Sequence, residues 1–220
     1  MALALDLFWS FRSPYSYLAT PRLVELARDF DVDVRVRPVL PLALRDAEFF
    51  TRANPLWVGY LLRDVARVAE FHGMTIAWPA PDPVVQDPAT RRVAAEQPHA
   101  PRLTRLGVLA AERGRGLAFL DEVSRLVWSG RVRGWNEGVH LAQASARAGL
   151  DLAELEAEAR AQQVRLDAAI AENRRALEAA GHWGVPTVVF RGEPFFGQDR
   201  LDLLVWRLRQ HGLRPRSPAE

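Results

Sequence analysis

The sequence contains no cysteine among its 220 residues. Disulfide staples, thiolate metal sites and dithiol redox chemistry carried by the protein itself are therefore excluded, and any sulfur chemistry must come from a ligand. Lysine is equally absent, so all 29 basic residues are arginines, which rules out a lysine Schiff base and a Walker-type phosphate loop. Charges interrupt every later apolar stretch, and the alternating opening Ala2 to Trp9 lacks the basic region, long apolar segment and cleavage site of a secretory leader. The expectation is a cytoplasmic protein with no membrane partner. Charge of one sign is also missing. The 27 acidic residues offset the arginines to a formal net charge of +2 and interleave with them, as over Glu154 to Arg160, which leaves no basic block for nucleic acid. The histidines, His72, His99, His140, His182 and His211, show neither H-x-x-x-H nor H-E-x-x-H spacing, so no metal site is expected.

What is present is enough apolar material, 49% of the chain, to build one large domain or a small domain with an insertion. Residues 3 to 9 alternate and then run apolar as a short buried strand. From Pro14, the spacing of Tyr17, Leu18, Leu23, Leu26 and Ala27 gives one apolar helical face that ends near Phe30. Val32, Val34 and Val36 form a second strand that stops at Pro38. Strand, helix, strand favours parallel pairing. From about Pro41 to Ala161 the pattern turns predominantly helical, punctuated by Pro55, the Pro79 to Pro88 cluster, Pro98, Gly114, Gly130 and Gly149. Asp87-Pro88 reads as an N-cap with proline at the first helical position, and Asp151 with Glu154 has capping-box spacing. A helix from about Gln163 to Ala180 follows. Then come a strand over Val185 to Phe190, a tight turn at Arg191-Gly192-Glu193, a return strand over Pro194 to Phe196, and an amphipathic helix over Asp199 to Arg209 with Leu201, Leu204, Val205 and Leu208 inward. The tail after Gly212, including Pro215, Ser217 and Pro218, is expected to fray.

Three short segments could carry chemistry. S-P-Y-S at Ser13 to Ser16 sits where a strand turns into a helix, so backbone N–H groups and the positive helix end favour an anion beside Ser13. Gly184-Val185-Pro186-Thr187 places proline at a strand start, where a cis peptide could expose the backbone groups of the residue before it. F-F-G-Q-D-R, Phe195 to Arg200, puts Gln198 and Asp199 at the start of the closing helix. Taken singly, the first and third are also explained as helix caps.

In this order and separation, SPYSYLA and GVPT-to-FGQDR make the chain resemble the 2-hydroxychromene-2-carboxylate isomerases, within the DsbA-like, kappa-class glutathione transferase group. The likeness extends to Tyr60-Leu61-Leu62-Arg63-Asp64-Val65, Phe119 to Val123 and Trp128-Ser129-Gly130. It implies an α/β, thioredoxin-like fold of DsbA/kappa type with a large all-helical insertion. Residues 1–45 and 163–212 would form the thioredoxin-like domain, 46–162 the insertion and 213–220 a tail. Redox members begin the first helix with C-x-x-C, and Ser13 and Ser16 occupy those two positions here. The resemblance implies glutathione as cofactor, with Ser13 the catalytic residue donating a hydrogen bond to its thiolate and Pro14 and Tyr15 beside it. Val185, before a cis Pro186, would pair with the cysteinyl part, and Gln198 and Asp199 would receive the γ-glutamyl end.

Related enzymes also carry an asparagine followed by a lysine after the second strand. Asn54 matches the asparagine, but no lysine exists, so Arg45, Arg52 and Arg63 are the candidates for the glycyl carboxylate. Phe49, Phe50, Trp57, Tyr60 and Trp183 either line a cleft for a small aromatic substrate or pack in a core or dimer contact. His182 is a candidate proton donor or a surface histidine. The implied activity is glutathione-dependent interconversion of 2-hydroxychromene-2-carboxylate with trans-o-hydroxybenzylidenepyruvate by a homodimer. A kappa-type transferase and a redox-dead thioredoxin-like peptide-binding protein remain open as alternatives.

Overall fold

The computed structural model describes residues 2–217. Strand β1 (Leu3–Trp9) runs into helix α1 (Pro14–Asp29), which returns the chain to β2 (Val32–Pro38). The two strands pair in parallel from Leu3 opposite Val32 to Trp9 opposite Pro38, as the βαβ reading expects. Leu5, Leu7 and Trp9 point into the main core. Phe8 points to the opposite face, where it meets Val39, Leu177 and Val189, as the period of two along a strand requires.

Two short helices, α2 (Leu42–Arg45) and α3 (Phe49–Arg52), lead to α4 (Pro55–Phe71). After a long irregular stretch come α5 (Ala100–Glu112), α6 (Gly116–Trp128), α7 (His140–Arg147), α8 (Leu152–Ala161) and α9 (Gln163–Ala179). Helices α4 to α9 share one apolar core with the sheet and α1, while Ala43 of α2 belongs to a separate small cluster with Val84 and Ala100. Glycine allows the closest approach: a Cβ at Gly116 would stand 2.9 Å from Val36 Cβ. Asp151 caps α8 as expected, its Oδ1 accepting from Glu154 N at 3.0 Å. Asp87 does not start a helix. Its Oδ1 accepts from Ala89 N and Thr90 N (3.0 and 2.6 Å), but the chain then turns through a left-handed Arg91, φ 59°, into a bridge between Gln86 and Val93. The same acceptor that caps a helix has closed an isolated turn.

Strands β3 (Thr187–Phe190) and β4 (Glu193–Phe196) complete a sheet of order β2-β1-β3-β4, with β3 antiparallel to β1 and to β4. Their turn is the two-residue pair Arg191-Gly192, both at positive φ (53° and 83°), the conformation whose twist matches the strands it joins. Gln198–Arg200 forms a single 3-10 turn before α10 (Leu201–Gln210), so the closing helix begins later than its sequence pattern implies. The tail departs from the expected fraying over 213–217. Asp31 N donates to Arg214 O (2.9 Å), Arg216 N to Asp29 O (2.8 Å), and the Arg216 guanidinium to the carbonyls of Phe30 and Val32. Backbone groups at the start of β2 offered partners that composition does not reveal. Pro218, read as part of that tail, lies outside the described residues.

Candidate functional site

The turn between β1 and α1, the α2 to α4 segment and the Trp183–Val185 stretch enclose a cavity of about 600 Å³. Its chemistry begins at two helix starts built alike. Ser13 caps α1 with Pro14 at the first position, and its Oγ accepts from Ser16 N at 3.2 Å. Asn54 caps α4 with Pro55 next, and its Oδ1 accepts from Leu56 N at 3.0 Å. Both caps line the cavity, so two positive helix ends face it. Ser13 Oγ also donates to Val185 O at 3.2 Å, which joins the first and last thirds of the fold. The Val185–Pro186 bond is cis. Ser16 is buried behind Ser13, and its hydroxyl has no partner.

Tyr15 and Tyr60 lie along the wall. Their phenols donate to the two oxygens of Asp64 at 2.7 and 3.2 Å, tying α1 to α4. Burial, reinforced by Asp64, raises the Tyr15 pKa above its ordinary value, so this phenol stays protonated. Beyond them the aromatic side chains cluster: Phe49 lies 5.8 Å from Trp57 and 5.5 Å from Trp183, and Phe50 stacks on Trp57 at 6.4 Å. Gly184 brings the backbone close to this wall, since a Cβ there would stand 2.4 Å from the Phe196 ring.

The cavity wall includes two arginines, Arg12 and Arg45, and no carboxylate. Arg12 is held by Asp82, with Nε to Oδ1 and Nη2 to Oδ2 both at 3.0 Å, and its guanidinium lies 5.5 Å from the Phe50 and Trp78 rings. Arg45 donates Nε to Leu40 O and Nη1 to Trp183 O (2.8 and 2.7 Å).

Of the residues singled out in the sequence, Ser13, Pro14, Tyr15, Asn54 and Val185 line the cavity, as do Arg45, Phe49, Phe50, Trp57, Tyr60 and Trp183. Pro186 is buried behind Val185, and its carbonyl accepts from Gly197 N at 2.9 Å. Gln198 and Asp199 do not line it. Gln198 is buried, with its backbone carbonyl taken by Arg22, and the exposed Asp199 pairs with Arg200 at 2.9 Å. Arg52 pairs with Asp46 at 2.7 Å, and Arg63 lies outside the cavity. His182 stands just behind the wall, stacked 3.9 Å from Phe196 and accepting from Gly184 N through Nδ1 at 2.8 Å. Burial lowers its pKa. Ser10, Arg12 and Phe196 also line the cavity. Arg12 precedes Ser13 directly, but nothing in the sequence links it to Asp82 seventy residues on. Among the described residues no three His, Cys, Asp or Glu side chains gather to hold a metal ion, and no helix is long and apolar enough to cross a membrane.

A cysteine-less helix start set against a cis proline on a four-stranded sheet defines a thioredoxin-like protein without its own redox pair. The DSBA-like thioredoxin domain model matches residues 4–209, and the chain belongs to that family. A curated relative, the 2-hydroxychromene-2-carboxylate isomerase of Pseudomonas putida, is 30% identical over 80 residues, a stretch spanning 34% of this chain and 39% of the relative. A solved 2-hydroxychromene-2-carboxylate isomerase is similar over 95% of this chain and 96% of its own, with TM-score 0.68 and 22% identity. The cytosolic disulfide reductase DsbM from Pseudomonas aeruginosa is similar over 94% of this chain and 100% of its own, with TM-score 0.59 and 23% identity. At these identities the two structures speak for the fold.

Proposed function

We propose that this chain is a glutathione-dependent isomerase acting on aromatic substrates of the 2-hydroxychromene-2-carboxylate type. The observation that carries the reading is the position of Ser13. Its hydroxyl lies at the N-terminus of a 16-residue helix, within 3.2 Å of Val185 O, and faces a largely aromatic cavity. The residues present fit a bound thiol peptide. Ser13 offers a proton that a thiolate can take in place of the Val185 carbonyl, the two helix starts favour negative charge, and Val185 presents backbone to the same space. The partial likeness to the Pseudomonas putida isomerase supports the substrate class.

Bound glutathione would supply a nucleophilic sulfur for reversible addition to a conjugated carbonyl compound, and Ser13 and Val185 would hold it. The chain's own work is to hold that sulfur ionised. A free thiol titrates at about 8.5, and a hydroxyl donor at a helix N-terminus lowers that value. Serine performs this without the mixed disulfide that cysteine at the same place would form. Phe49, Trp57 and Trp183 shelter an aromatic substrate from water. Tyr15 and Tyr60, both bonded to Asp64, keep that wall in place.

Calorimetric titration of the wild type and Ser13→Ala with glutathione, followed by thiolate absorbance of the bound ligand against pH, tests the reading. Saturable binding with a thiol pKa below the free value, rising toward it in the variant, is expected. No binding at millimolar glutathione would overturn it. Product analysis with a chromene carboxylate separates isomerisation, which regenerates glutathione, from a transferase outcome, which leaves a conjugate. The reading places the enzyme in the cytoplasm as a homodimer, a state that sedimentation of the purified protein checks.

A further inference from the structure

One group in the cavity wall has no partner for part of its charge. Arg45 ends the short helix α2, and two backbone carbonyls, Leu40 O and Trp183 O, fix its Nε and Nη1. Its Nη2 is buried and has no hydrogen-bond acceptor. Among the described residues no carboxylate lies within ion-pair distance of it. The nearby charges are Arg174 and Glu178, which already pair with each other at 2.8 Å. Burial, with the Arg174 charge adding to it, lowers the Arg45 pKa to about 10, so the group is still a cation at neutral pH but an under-stabilised one. A buried N–H left without an acceptor is an exception that calls for a ligand or a role.

The surroundings say what would complete it. The cavity wall carries no Asp or Glu, its other cation Arg12 is taken by Asp82, and the starts of α1 and α4 at Ser13 and Asn54 add positive potential. Trp9 O accepts from Val39 N, so Ser10 and Leu40 leave the paired strands side by side; the Ser10 hydroxyl is a second buried group without a partner in this wall. The residue that fixes Nη1 is Trp183, whose ring lies 5.5 Å from Phe49, and Phe49 lies 5.8 Å from Trp57. Cation and aromatic cluster therefore share one end of the cavity. We propose that Arg45 is a carboxylate seat and that it selects aromatic monocarboxylates whose rings lie among Phe49, Trp57 and Trp183. A small turn of the guanidinium about its two carbonyl anchors brings Nη2 to the carboxylate, which it and the neighbouring nitrogen can grip together. The proposal rests on the cavity being the ligand site of the proposed function but not on the thiol, so its test leaves glutathione out of the first arm.

That arm is calorimetric titration with trans-cinnamate and with the neutral isostere cinnamamide. The wild type is expected to bind the acid about tenfold more tightly or better, the usual strength of a charge-assisted pair. Arg45→Gln should bind the two alike with cinnamamide affinity unchanged, which also reports that the cavity is intact, and Arg45→Lys should retain part of the preference. If Arg45→Gln does not fold, the wild-type comparison and Arg45→Lys still decide. Equal binding of acid and amide by the wild type, no binding of either, or an acid preference that survives in Arg45→Gln would overturn the proposal. The second arm compares glutathione with its glycyl amide. If Arg45→Gln erases a preference there while cinnamate and cinnamamide bind the wild type alike, the seat belongs to the thiol peptide and the aromatic-acid assignment falls.

Discussion

Asp82→Ala should release Arg12 of the cavity wall and loosen the stretch between α4 and α5 that holds it. Asp82 accepts from Arg12 Nε and Nη2, from Trp78 Nε1 at 3.2 Å and, through Oδ1, from Val84 N at 2.9 Å. The side chains of Arg12 and Asp82 are only 12% and 23% exposed. That places the pair between an exposed ion pair, worth about 0–1 kcal/mol, and a fully buried one, whose breakage costs about 3–5 kcal/mol. A loss of about 2–3 kcal/mol follows, and since each kcal/mol moves Tm by roughly 2–4 °C in a chain of this size, a fall of about 4–12 °C. Urea denaturation of the wild type, Arg12→Ala, Asp82→Ala and the double variant closes a cycle that isolates the pair from the other bonds Asp82 accepts. The mutant also leaves Arg12 as a second unpaired cation beside Phe50, so cinnamate affinity should rise while cinnamamide affinity does not. A coupling below about 0.5 kcal/mol, the size at which independent sites already add, would refute the reasoning, since the guanidinium would then be held by its rings and by Gln86 rather than by the carboxylate.

Ser13→Ala should lose about 1 kcal/mol of stability with its cap, whereas Ser13→Asp, which keeps an acceptor for Ser16 N, should not. Thermal denaturation of both variants checks this; Ser13→Asp has no proton to donate and sets its own charge beside the sulfur, so a bound thiol's pKa should rise in it rather than fall. His182 sets a pH dependence. Burial puts its folded pKa below 6.5, so the unfolded chain takes up the proton first as pH falls. Its contribution is therefore whole above that ordinary value and is lost as pH drops below it toward the folded pKa. His182→Asn should lose less stability than the wild type between pH 7 and pH 5; equal losses in urea titrations would place the titration elsewhere, with His99, also lowered by burial, the next group to replace.

How much of this was legible in the sequence depends on how far each signal reaches along the chain. β1, α1 and β2 follow from periodicity within single elements, the cap at Ser13 from the proline that follows it and the cap at Asp151 from its spacing to Glu154; all stand as the sequence implies. The aromatic residues of the cleft were visible as residue types, but that Phe49 and Trp183 meet at 5.5 Å is a property of the closed sheet. Asp87 shows how a local rule misleads: a side-chain acceptor satisfies N–H groups equally well in a turn, and which one forms depends on whether the following residues can bury a helical face. Val93 packs half-buried against Ala43, Val84 and Ala100 instead. Gln198 and Asp199 show the complementary case. Their order after Gly197 is legible, but Gly197 at φ 103° and the 3-10 turn after it send Gln198 inward and Asp199 to solvent. Charge gives the sharpest contrast. The sequence supplies 27 acids for 29 arginines, which predicts general pairing, and among the described residues many of them do pair, within a helix as at Arg174–Glu178 and between distant segments as at Arg105–Asp167. Among the described residues the structure leaves Arg45 without a carboxylate partner in the wall of an aromatic cavity, half-buried, held by two carbonyls and with its Nη2 unpartnered. No count or spacing reports that exception, because it arises only when α2 is docked against the Trp183 backbone from the far end of the chain.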